Sequence, residues 1–256
     1  MKKSVDQVLR MIQEGRVFEL TPEHFDGRYM TIEEMKAIFD SFGAFWEYDG
    51  EPDPNKPHAV LKSGKHSNGF IPCKLVLKYP TMAKLFASEV VKKIDLDAPE
   101  IDVVVSSAYS AINLGYEVAR TIADSYNPRV EYVEIEKDSE GNPTILRDEI
   151  DPNKKVLVVN ELMTTKTGST WESRKAVLTR NIGRPPGLLP YSVVLVHRSK
   201  DNKLPDETDV IPIFHFNIED WDVNNGETCK YCEAGSPAIK PKIGNNWALL
   251  HGKTVN

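Results

Sequence analysis

A polar segment that follows four consecutive aliphatic residues holds the residue types best suited to chemistry. Residues 156–159 are too few for a buried helix and mostly β-branched, so they predict a strand covered on both faces. Asn160 and Glu161 follow at the carboxyl end of this strand. The next part of the chain offers hydroxyls, a flexible backbone and one cation, from Thr164, Thr165, Lys166, Thr167, Gly168 and Ser169. Such a loop suits a phosphate group.

A helix is predicted to begin at Ser169, because Ser169 and Glu172 have the spacing of a capping box. The loop would then lie at a helix N-terminus, where N–H groups and the helix dipole favour an anion. In open α/β sheets, ligands bind at this edge, outside the carboxyl ends of the strands. A nucleoside-triphosphate loop is excluded, because it requires a glycine, four intervening residues and then glycine-lysine followed by serine or threonine, and here Lys166 precedes Gly168.

A second segment, residues 62–70, concentrates polar chemistry in nine positions. It contains two cations, an imidazole, two hydroxyls, two glycines and an aromatic ring, among them Lys62, Lys65, His66 and Phe70. Composition alone allows two interpretations, a binding segment or a solvated hairpin turn.

The order of residues in both segments resembles a known family. Residues 154–170 resemble the phosphoribosyl pyrophosphate motif of type I phosphoribosyltransferases, and residues 62–70 are similar to the amino-terminal signature of orotate phosphoribosyltransferases. The resemblance implies that Asn160 and Glu161 hold ribose hydroxyls, and that the loop from Thr164 to Ser169 holds the 5′-phosphate. It also implies that Lys62 and Phe70 receive the base, with Lys65 and His66 beside them.

Two further segments extend the resemblance. Residues 102–120 are similar to the family's pyrophosphate loop and its helix, which implies that Ser107, Ala108, Tyr109 and Ser110 face pyrophosphate. The family's mobile loop carries a catalytic lysine, whose position here is taken by Asn142. The nearby cations are Lys137 and Arg147, of which Lys137 is the candidate to replace that lysine.

The elements that must position these residues alternate between strands and helices. Apolar periodicity predicts helices at residues 4–16, 31–42, 81–94 and 171–182, and strands at 101–105, 129–136, 192–196 and 210–216, the last broken by Pro212. This alternation predicts βαβ units and a parallel sheet. With the resemblance, the expected class is an α/β fold, a phosphoribosyltransferase-type parallel sheet flanked by helices. Residues 1–80 would include a small hood, 81–216 the core and 217–256 an irregular tail that could add to the hood, all in one integrated domain.

The tail contains a Cys-x-x-Cys pair, Cys229 and Cys232. This pair is half of a tetrahedral zinc site, which His215 and His251 could complete, but no full ligand set is visible in the sequence. Redox work and a reduced structural pair are the other interpretations, and the reduced pair is favoured. We therefore expect no bound metal from the protein's own ligands.

Composition sets limits on location and partners. The 256 residues carry a net charge of −6, so no basic field favours nucleic acid, and polyanionic substrates need local positive charge or a metal ion. No apolar run approaches a membrane span, and charges occupy the start of the chain where a signal peptide needs an apolar core. A cytoplasmic protein with small-molecule substrates is expected, without nucleic-acid or membrane partners.

The resemblance implies a phosphoribosyltransferase that passes the phosphoribosyl group of phosphoribosyl pyrophosphate to a nucleobase, orotate or a related pyrimidine, with release of pyrophosphate. It also implies Mg²⁺ and a homodimer. Four departures support an alternative, a binding protein or sensor without turnover: Asn160 for an acid, Lys166 and Thr167 for glycines, serines in the pyrophosphate loop, and Asn142 for the loop lysine. A third hypothesis is an enzyme with a changed acceptor.

Overall fold

The computed structural model describes residues 1–107, 109–140, 143–146, 148–181 and 183–253, and only the backbone of 143–146. Ala108, Asn142 and Arg147, which carried predictions above, lie outside the described residues, as does Ile182 at the predicted end of a helix. The α-helices are α1 (Val5–Gln13), α2 (Ile32–Ser41), α3 (Lys74–Leu77), α4 (Pro80–Lys93), α5 (Ile112–Ser125), α6 (Ser169–Arg180), α7 (Lys230–Glu233) and α8 (Asn246–Leu250). The strands are β1 (Trp46–Glu47), β2 (His58–Val60), β3 (His66–Ser67), β4 (Gly69–Phe70), β5 (Val103–Ser107), β6 (Glu131–Lys137), β7 (Pro143–Leu146), β8 (Lys155–Met163), β9 (Gly187–His197), β10 (Asp209–His215), β11 (Asp220–Trp221) and β12 (Ala238–Ile239).

The chain divides into two compact units. The first comprises Met1–Phe42 and Cys73–Phe216, and the second comprises Gly43–Pro72 and Asn217–Asn256. Residues 1–42, which the sequence grouped with the hood segment, therefore belong to the first unit, whereas the tail shares the second unit with residues 43–72. None of the helices in the described part of the chain has the length and apolar character needed to cross a bilayer.

The first unit is built on one six-stranded sheet with the order β10-β9-β8-β5-β6-β7. All neighbouring strands pair in parallel except β7, which is antiparallel to β6 at one edge. The predicted parallel sheet flanked by helices is confirmed. The chain runs from β5 outward to β6 and then returns to β8 on the other side of β5, so the strand order reverses between β5 and β8. Ligands of open α/β sheets bind at such a switch point.

Helices cover both faces of this sheet. On one face, α6 packs Ala176 and Val177 into a core with Val103 and Val105 of β5. On the other face, α5 lies so close to β5 that a Cβ added at Gly115 would be 2.7 Å from the Cβ of Ser106. Because side chains alternate along a strand, this places α5 and α6 on opposite sides of β5. The sheet is therefore buried from both sides, as its continuous aliphatic strands require.

Edge position explains a departure from the predicted strand at residues 210–216. β10 continues through Pro212, which pairs with Val194 of β9, so the expected break is wrong. β10 is the outer strand of the sheet, and proline is tolerated there because its missing N–H can face away from the neighbouring strand.

The amino-terminal helices carry the caps that their sequences predict. Thr31 caps α2, since its hydroxyl accepts from the backbone N–H of Glu34 at 3.1 Å while the Glu34 carboxylate accepts from the Thr31 N–H at 2.8 Å. Glu34 is fully buried and also accepts two hydrogen bonds from Arg28 at 2.5 and 2.7 Å. The ion pair with Glu34 raises the pKa of Arg28, the side-chain hydrogen bond being the largest cause.

The second unit contains a β1-β4 ribbon and a four-stranded sheet with the order β11-β3-β2-β12. Its core is mainly aromatic and includes Trp46, Tyr48, Tyr231 and Leu250. The tail contributes β12, which runs parallel to β2, and α7, which carries the Cys-x-x-Cys pair. Residues 217–253 are therefore structured, contrary to the expected irregular tail.

Candidate active site

The carboxyl ends of β5 and β8 are joined side chain to side chain at the switch point. Ser107 is the last residue of β5, and its hydroxyl donates to Oδ1 of Asn160 on β8 at 3.1 Å. Both residues are buried, with Ser107 2% and Asn160 0% exposed. The predicted pyrophosphate segment and the predicted ribose segment therefore meet here.

Asn160 connects three elements through its amide. Its Nδ2 donates to Oγ of Ser169 at 2.7 Å and to Oγ1 of Thr170 at 3.0 Å, both in the first turn of α6. Its Oδ1 accepts from the Ser107 hydroxyl and from the N–H of Glu161 at 3.0 Å. An amide offers two donor hydrogens and two acceptor lone pairs, and all four are used here. The predicted contact of this side chain with ribose would have to displace one of these bonds.

The loop between β8 and α6 ends at a helix N-terminus, as predicted. α6 begins at Ser169, and Gly168 is its N-cap. The predicted capping box of Ser169 and Glu172 is wrong: Ser169 lies inside the helix, and its hydroxyl accepts from Asn160 instead. A Cβ at Gly168 would lie 3.2 Å from Oγ1 of Thr165, so the loop turns tightly at this glycine. The first N–H groups of α6 lack intrahelical partners by geometry and suit an anion.

The rest of the loop places its polar groups within reach of solvent. Lys166 and Thr167 are exposed, whereas Thr164, Thr165 and Ser169 are partly buried. Glu161 precedes the loop on β8 and is partly buried, and its carbonyl accepts from the thiol of Cys73 at 3.7 Å. The switch point thus combines a carboxylate, several hydroxyls, one exposed ammonium group and a helix N-terminus.

Beyond Ser107, the predicted pyrophosphate segment is more open. Tyr109 is 67% exposed, and Ser110 is partly buried just before α5. The Nζ of Lys137, at the end of β6, lies 5.4 Å from the centre of the Tyr109 ring. Lys137 is therefore close to the predicted pyrophosphate residues. Ser106 faces away from Ser107 and hydrogen-bonds the hydroxyl of Tyr132 at 2.8 Å, and burial raises the pKa of Tyr132 to about 12.

The residues predicted to contact the base all lie in the second unit. Lys62 is exposed in a tight turn in which Leu61 N donates to Lys65 O at 2.8 Å. The ammonium group of Lys65 forms an ion pair of 2.9 Å with Asp220 on β11, which raises the pKa of Lys65. The ring of Phe70 is 5.7 Å from that of Trp247 and has the Nζ of Lys242 5.9 Å from its centre.

His66 belongs to a compact group of four side chains of the types that can ligate a metal, which the sequence did not reveal as a set. Its Nδ1 is 2.9 Å from Nε2 of His58 and 3.2 Å from Sγ of Cys232, while Cys229 Sγ is 3.7 Å from His58 Nε2. We call His58, His66, Cys229 and Cys232 the Cys–His cluster. The cysteine pair therefore lies beside two histidines that could complete a set of four metal ligands.

The two histidines proposed from the sequence to complete that site are elsewhere. His215 contacts His197 edge to face in the first unit, with ring centres 4.7 Å apart, and His251 is hydrogen-bonded to the carbonyl of Trp247. Within the Cys–His cluster, burial and the charge of His66 lower the pKa of His58 to about 4. Burial also lowers the pKa of His66 and, together with Cys229, raises that of Cys232.

Two residues near the switch point were missed by sequence reasoning. Thr170 is 1% exposed and receives one of the Asn160 amide hydrogens. Arg198 directly follows β9 and is 3% exposed, and its N–H donates to the carbonyl of Met163, the last residue of β8, at 3.0 Å. The sequence did carry a signal for Arg198, since it is a cation directly after a buried strand. The carboxyl ends of parallel strands meet at one edge of the sheet, so this position predicts a place near the other site residues.

Comparison with known proteins agrees with this geometry. No protein-family model matches the chain. Among solved structures, orotate phosphoribosyltransferase from Aeropyrum pernix is similar with a TM-score of 0.53 and 16% identity, covering 70% of this chain and 92% of that one. This similarity, with the strand order and the switch-point loop, defines the fold as that of a phosphoribosyltransferase.

Sequence relatives define the family. The orotate phosphoribosyltransferase of Thermoanaerobacter sp. (strain X514) is 32% identical over 213 residues, which are 83% of this chain and 97% of the relative. That of Campylobacter jejuni subsp. doylei is 31% identical over an alignment of 226 residues, and the match covers 83% of this chain and 99% of the relative. The chain belongs to the orotate phosphoribosyltransferase family. It is a transferase, and its relatives support phosphoribosyl transfer from phosphoribosyl pyrophosphate.

Proposed function

We propose that the chain transfers the phosphoribosyl group of phosphoribosyl pyrophosphate to orotate or a closely related pyrimidine and releases pyrophosphate. The observation that carries this proposal is the four-way hydrogen bonding of Asn160, which ties the ends of β5 and β8 to the start of α6. These three places carry the segments that the resemblance assigns to pyrophosphate, ribose and the 5′-phosphate. The name of the relatives supports orotate as the acceptor.

The donor's two charged ends are assigned to two segments of the first unit. The loop from Thr164 to Ser169 binds the 5′-phosphate through its hydroxyls, the N–H groups of α6 and the ammonium group of Lys166. Ser107, Tyr109 and Ser110 face pyrophosphate, and Lys137 adds positive charge from beside Tyr109. Ala108, which lies outside the described residues, is assigned to the same segment from the sequence alone. Arg198 supplies a further cation at this edge.

Glu161 is the proposed catalytic carboxylate, and Asn160 is a positioning residue. When the bond between the anomeric carbon and pyrophosphate breaks, positive charge develops on the ribose ring. A fixed carboxylate that accepts hydrogen bonds from the ribose hydroxyls lowers the energy of this state and orients the ring for attack by the base nitrogen. Asn160 acts through its neighbours, because its amide holds Ser107 and α6 in place.

Mg²⁺ fits the donors present at this edge. The ion prefers oxygen ligands and is usually held by one or two carboxylates together with substrate phosphates. The Glu161 carboxylate and the hydroxyl-rich loop offer this chemistry, and the donor itself carries the phosphate oxygens. When bound, Mg²⁺ would neutralise charge on the departing pyrophosphate.

Residues of the second unit are proposed to contact the base. Lys62 is exposed and can bind a carboxylate such as that of orotate, and Phe70 presents a ring for stacking. Lys65 and His66 were predicted to join them, but Lys65 is ion-paired with Asp220 and His66 lies in the Cys–His cluster. We therefore assign base contact to Lys62 and Phe70 first. Homodimerisation and a cytoplasmic location stay predictions.

Replacing Glu161 tests the proposed mechanism. We expect Glu161→Gln to lower kcat/KM by on the order of 10²-fold or more, since the charge that stabilises the transition state is lost while the shape is kept. The matched control is Glu172→Gln, which removes a partly buried carboxylate from α6 whose partner is Lys175 at 3.3 Å. Pyrophosphate release with orotate is the measurement. Equal turnover of Glu161→Gln and wild type would exclude the assigned role.

A further inference from the structure

We propose that His58, His66, Cys229 and Cys232 bind one Zn²⁺ ion in a tetrahedral site of the second unit, separate from the transferase reaction. Nε2 of His58, Nδ1 of His66 and the two sulfur atoms all lie within 4.8 Å of one another. Two thiolates and two imidazoles are a ligand set that Zn²⁺ favours in structural sites. The ligands come from two parts of the chain, β2 and β3 on one side and the start and interior of α7 on the other.

Four of the six separations between these atoms are close to the edges of a zinc tetrahedron. Bonds of about 2.3 Å to sulfur and 2.0–2.1 Å to nitrogen give edges of roughly 3.3 to 3.8 Å. The measured nitrogen–sulfur separations are 3.2 Å for His66 with Cys232, 3.6 Å for His58 with Cys232, and 3.7 Å for His58 with Cys229. The two nitrogens are 2.9 Å apart. Since all four ligand atoms lie within 4.8 Å of one another, shifts of at most about 1 Å would complete the tetrahedron around a central ion.

A hydrogen-bond chain behind His58 prepares it as a ligand. The hydroxyl of Ser236 donates to the carbonyl of Lys56 at 2.6 Å, so its only hydrogen is used there. The Nδ1 of His58, 2.9 Å from the Ser236 oxygen, must then be the donor in their contact. With its hydrogen on Nδ1, His58 directs the lone pair of Nε2 into the cluster. Such outer partners fix the tautomer and orientation of metal-binding histidines.

Charge balance also favours a divalent cation. His58 is 0% and Cys229 2% exposed, so an uncompensated charge at either residue would be costly. Two thiolates, two neutral imidazoles and Zn²⁺ sum to zero. The ring of Tyr231 stacks on His58 with centres 5.4 Å apart, which shields one side of the site from water.

The proposed ion would hold a small unit together. It would join both strands of the hairpin that carries Lys62 to a helix about 170 positions later in the chain. The described core of this unit is a single aromatic cluster, and small cores commonly depend on a metal or a disulfide for stability. The ion is therefore structural, since all four of its positions are filled by protein ligands.

Metal content of the full chain tests the proposal directly. Protein purified without chelators or metal-affinity steps should contain about one zinc per chain by elemental mass spectrometry. The double variant Cys229→Ser/Cys232→Ser should contain less than about a tenth of that amount, since the soft ligands are gone. Cys73→Ser is the matched control, because Cys73 belongs to the first unit and is not one of the four proposed ligands, and it should keep the zinc.

Two further measurements test the proposal even if the double variant does not fold. Cobalt exchanged into wild-type protein should give the intense visible absorption of a tetrahedral site and a sulfur-to-metal charge-transfer band. Ser236→Ala should keep the four ligands but lower zinc affinity by about 10- to 100-fold in competition with a chelating dye, because the partner of His58 is removed.

The opposite results would overturn the proposal. Wild-type protein that contains no zinc and gives no tetrahedral cobalt spectrum would show that the cluster is only hydrogen-bonded. Zinc retained after loss of both cysteines would place the metal elsewhere. A Cys229–Cys232 disulfide in freshly purified protein, detected by mass after alkylation, would equally contradict it.

Discussion

At the residue scale, the most informative side chain is Asn160. The resemblance found in the sequence implies an acid at the position of Asn160, and the amide was one of the departures that suggested lost turnover. In the structure the amide has its own task, since its two hydrogens hold Ser169 and Thr170 and its oxygen accepts from Ser107 and Glu161. An ionised carboxylate in this fully buried position would carry a charge that the amide avoids.

Substitution of Asn160 should separate positioning from catalysis. Asn160→Ala leaves the hydroxyls of Ser107, Ser169 and Thr170 without their partner, so we expect a loss of about 1–3 kcal/mol in the free energy of unfolding. KM for phosphoribosyl pyrophosphate should rise more than kcat falls, because the loops that bind the donor lose their alignment.

Asn160→Asp is the matched variant, because aspartate has nearly the same shape as asparagine. The hydroxyls of Ser169 and Thr170 in α6 can turn so that they donate to its carboxylate. It should recover most of the affinity for the donor that Asn160→Ala loses. Urea unfolding and steady-state kinetics of both variants measure these effects. If Asn160→Ala instead lowered kcat alone, with stability and KM unchanged, Asn160 would act directly on the reacting atoms.

The sequence indicated which residues belong to the candidate site, but it did not indicate which of them contact each other. Spacing along the chain predicted that Glu161 and the loop from Thr164 to Ser169 lie at the carboxyl end of one buried strand, and the structure has them at the end of β8. It could not show that the amide of Asn160 forms four hydrogen bonds within the protein. It also could not show that His66 turns into the Cys–His cluster. Hydrogen-bond partners depend on tertiary positions, which a local pattern does not contain.

At the element scale, the close approach of α5 and β5 sets the position of Ser107, the first residue of the segment proposed to face pyrophosphate. Gly115 lies against Ser106, the neighbour of Ser107, and its α-carbon has no room for a side chain. An added Cβ would be 2.6 Å from Oγ of Ser106, 2.7 Å from its Cβ and 2.9 Å from Cε2 of Tyr132. The hydroxyls of Ser106 and Tyr132 are hydrogen-bonded there, so neither side chain can move without losing a contact.

Gly115→Ala should therefore destabilise the protein although alanine is the better helix former. The helix gains about 1 kcal/mol, but overpacking of this kind costs about 1–3 kcal/mol, and contacts below 3 Å to a Cβ place it at the upper end. We expect a net loss of about 1–2 kcal/mol, measured by urea unfolding.

The double variant Ser106→Gly/Gly115→Ala is the control, because it removes the Cβ that collides. It should be more stable than the sum of the two single changes predicts. Simple additivity would show that α5 and β5 are farther apart than the structure places them.

Most elements could be predicted from apolar periodicity, and their ends could not. The helices and strands that were predicted in the first unit overlap the observed ones, since each has a continuous apolar run or stripe, but β9 begins earlier, at Gly187, and α3 had no predicted counterpart. The Thr31 cap formed as predicted, but the equivalent spacing at Ser169 did not form one, because Asn160 takes its hydroxyl. The expected break at Pro212 was wrong because edge position is a property of the sheet.

At the scale of the whole molecule, segments distant in sequence share one unit. Residues 43–72 fold with 217–256, and the parallel pairing of β2 with β12 joins them. The sequence showed Cys229 and Cys232 as a pair, but their histidine partners lie in another segment and had no recognisable spacing relative to them. A long-range contact of this kind is visible only after folding.

The overall charge of the chain indicates that charges at the site, and not the net charge of the protein, attract the substrates. A net charge of −6 repels phosphoribosyl pyrophosphate at long range, so binding depends on charge placed at the site. Lys166, Lys137 and Arg198 lie near the carboxyl ends of β8, β6 and β9, and Mg²⁺ would add to them. We therefore expect donor binding to require the ion.

Turnover by the wild-type chain is the measurement that tests the proposed transferase most directly. Purified protein is mixed with phosphoribosyl pyrophosphate and Mg²⁺, each nucleobase is added in turn, and pyrophosphate release is followed alongside formation of the nucleotide. We predict release in equal amount to nucleotide with orotate, and little with purines. Tight binding of the donor without pyrophosphate release for any base would contradict the proposed reaction and identify a binding protein instead.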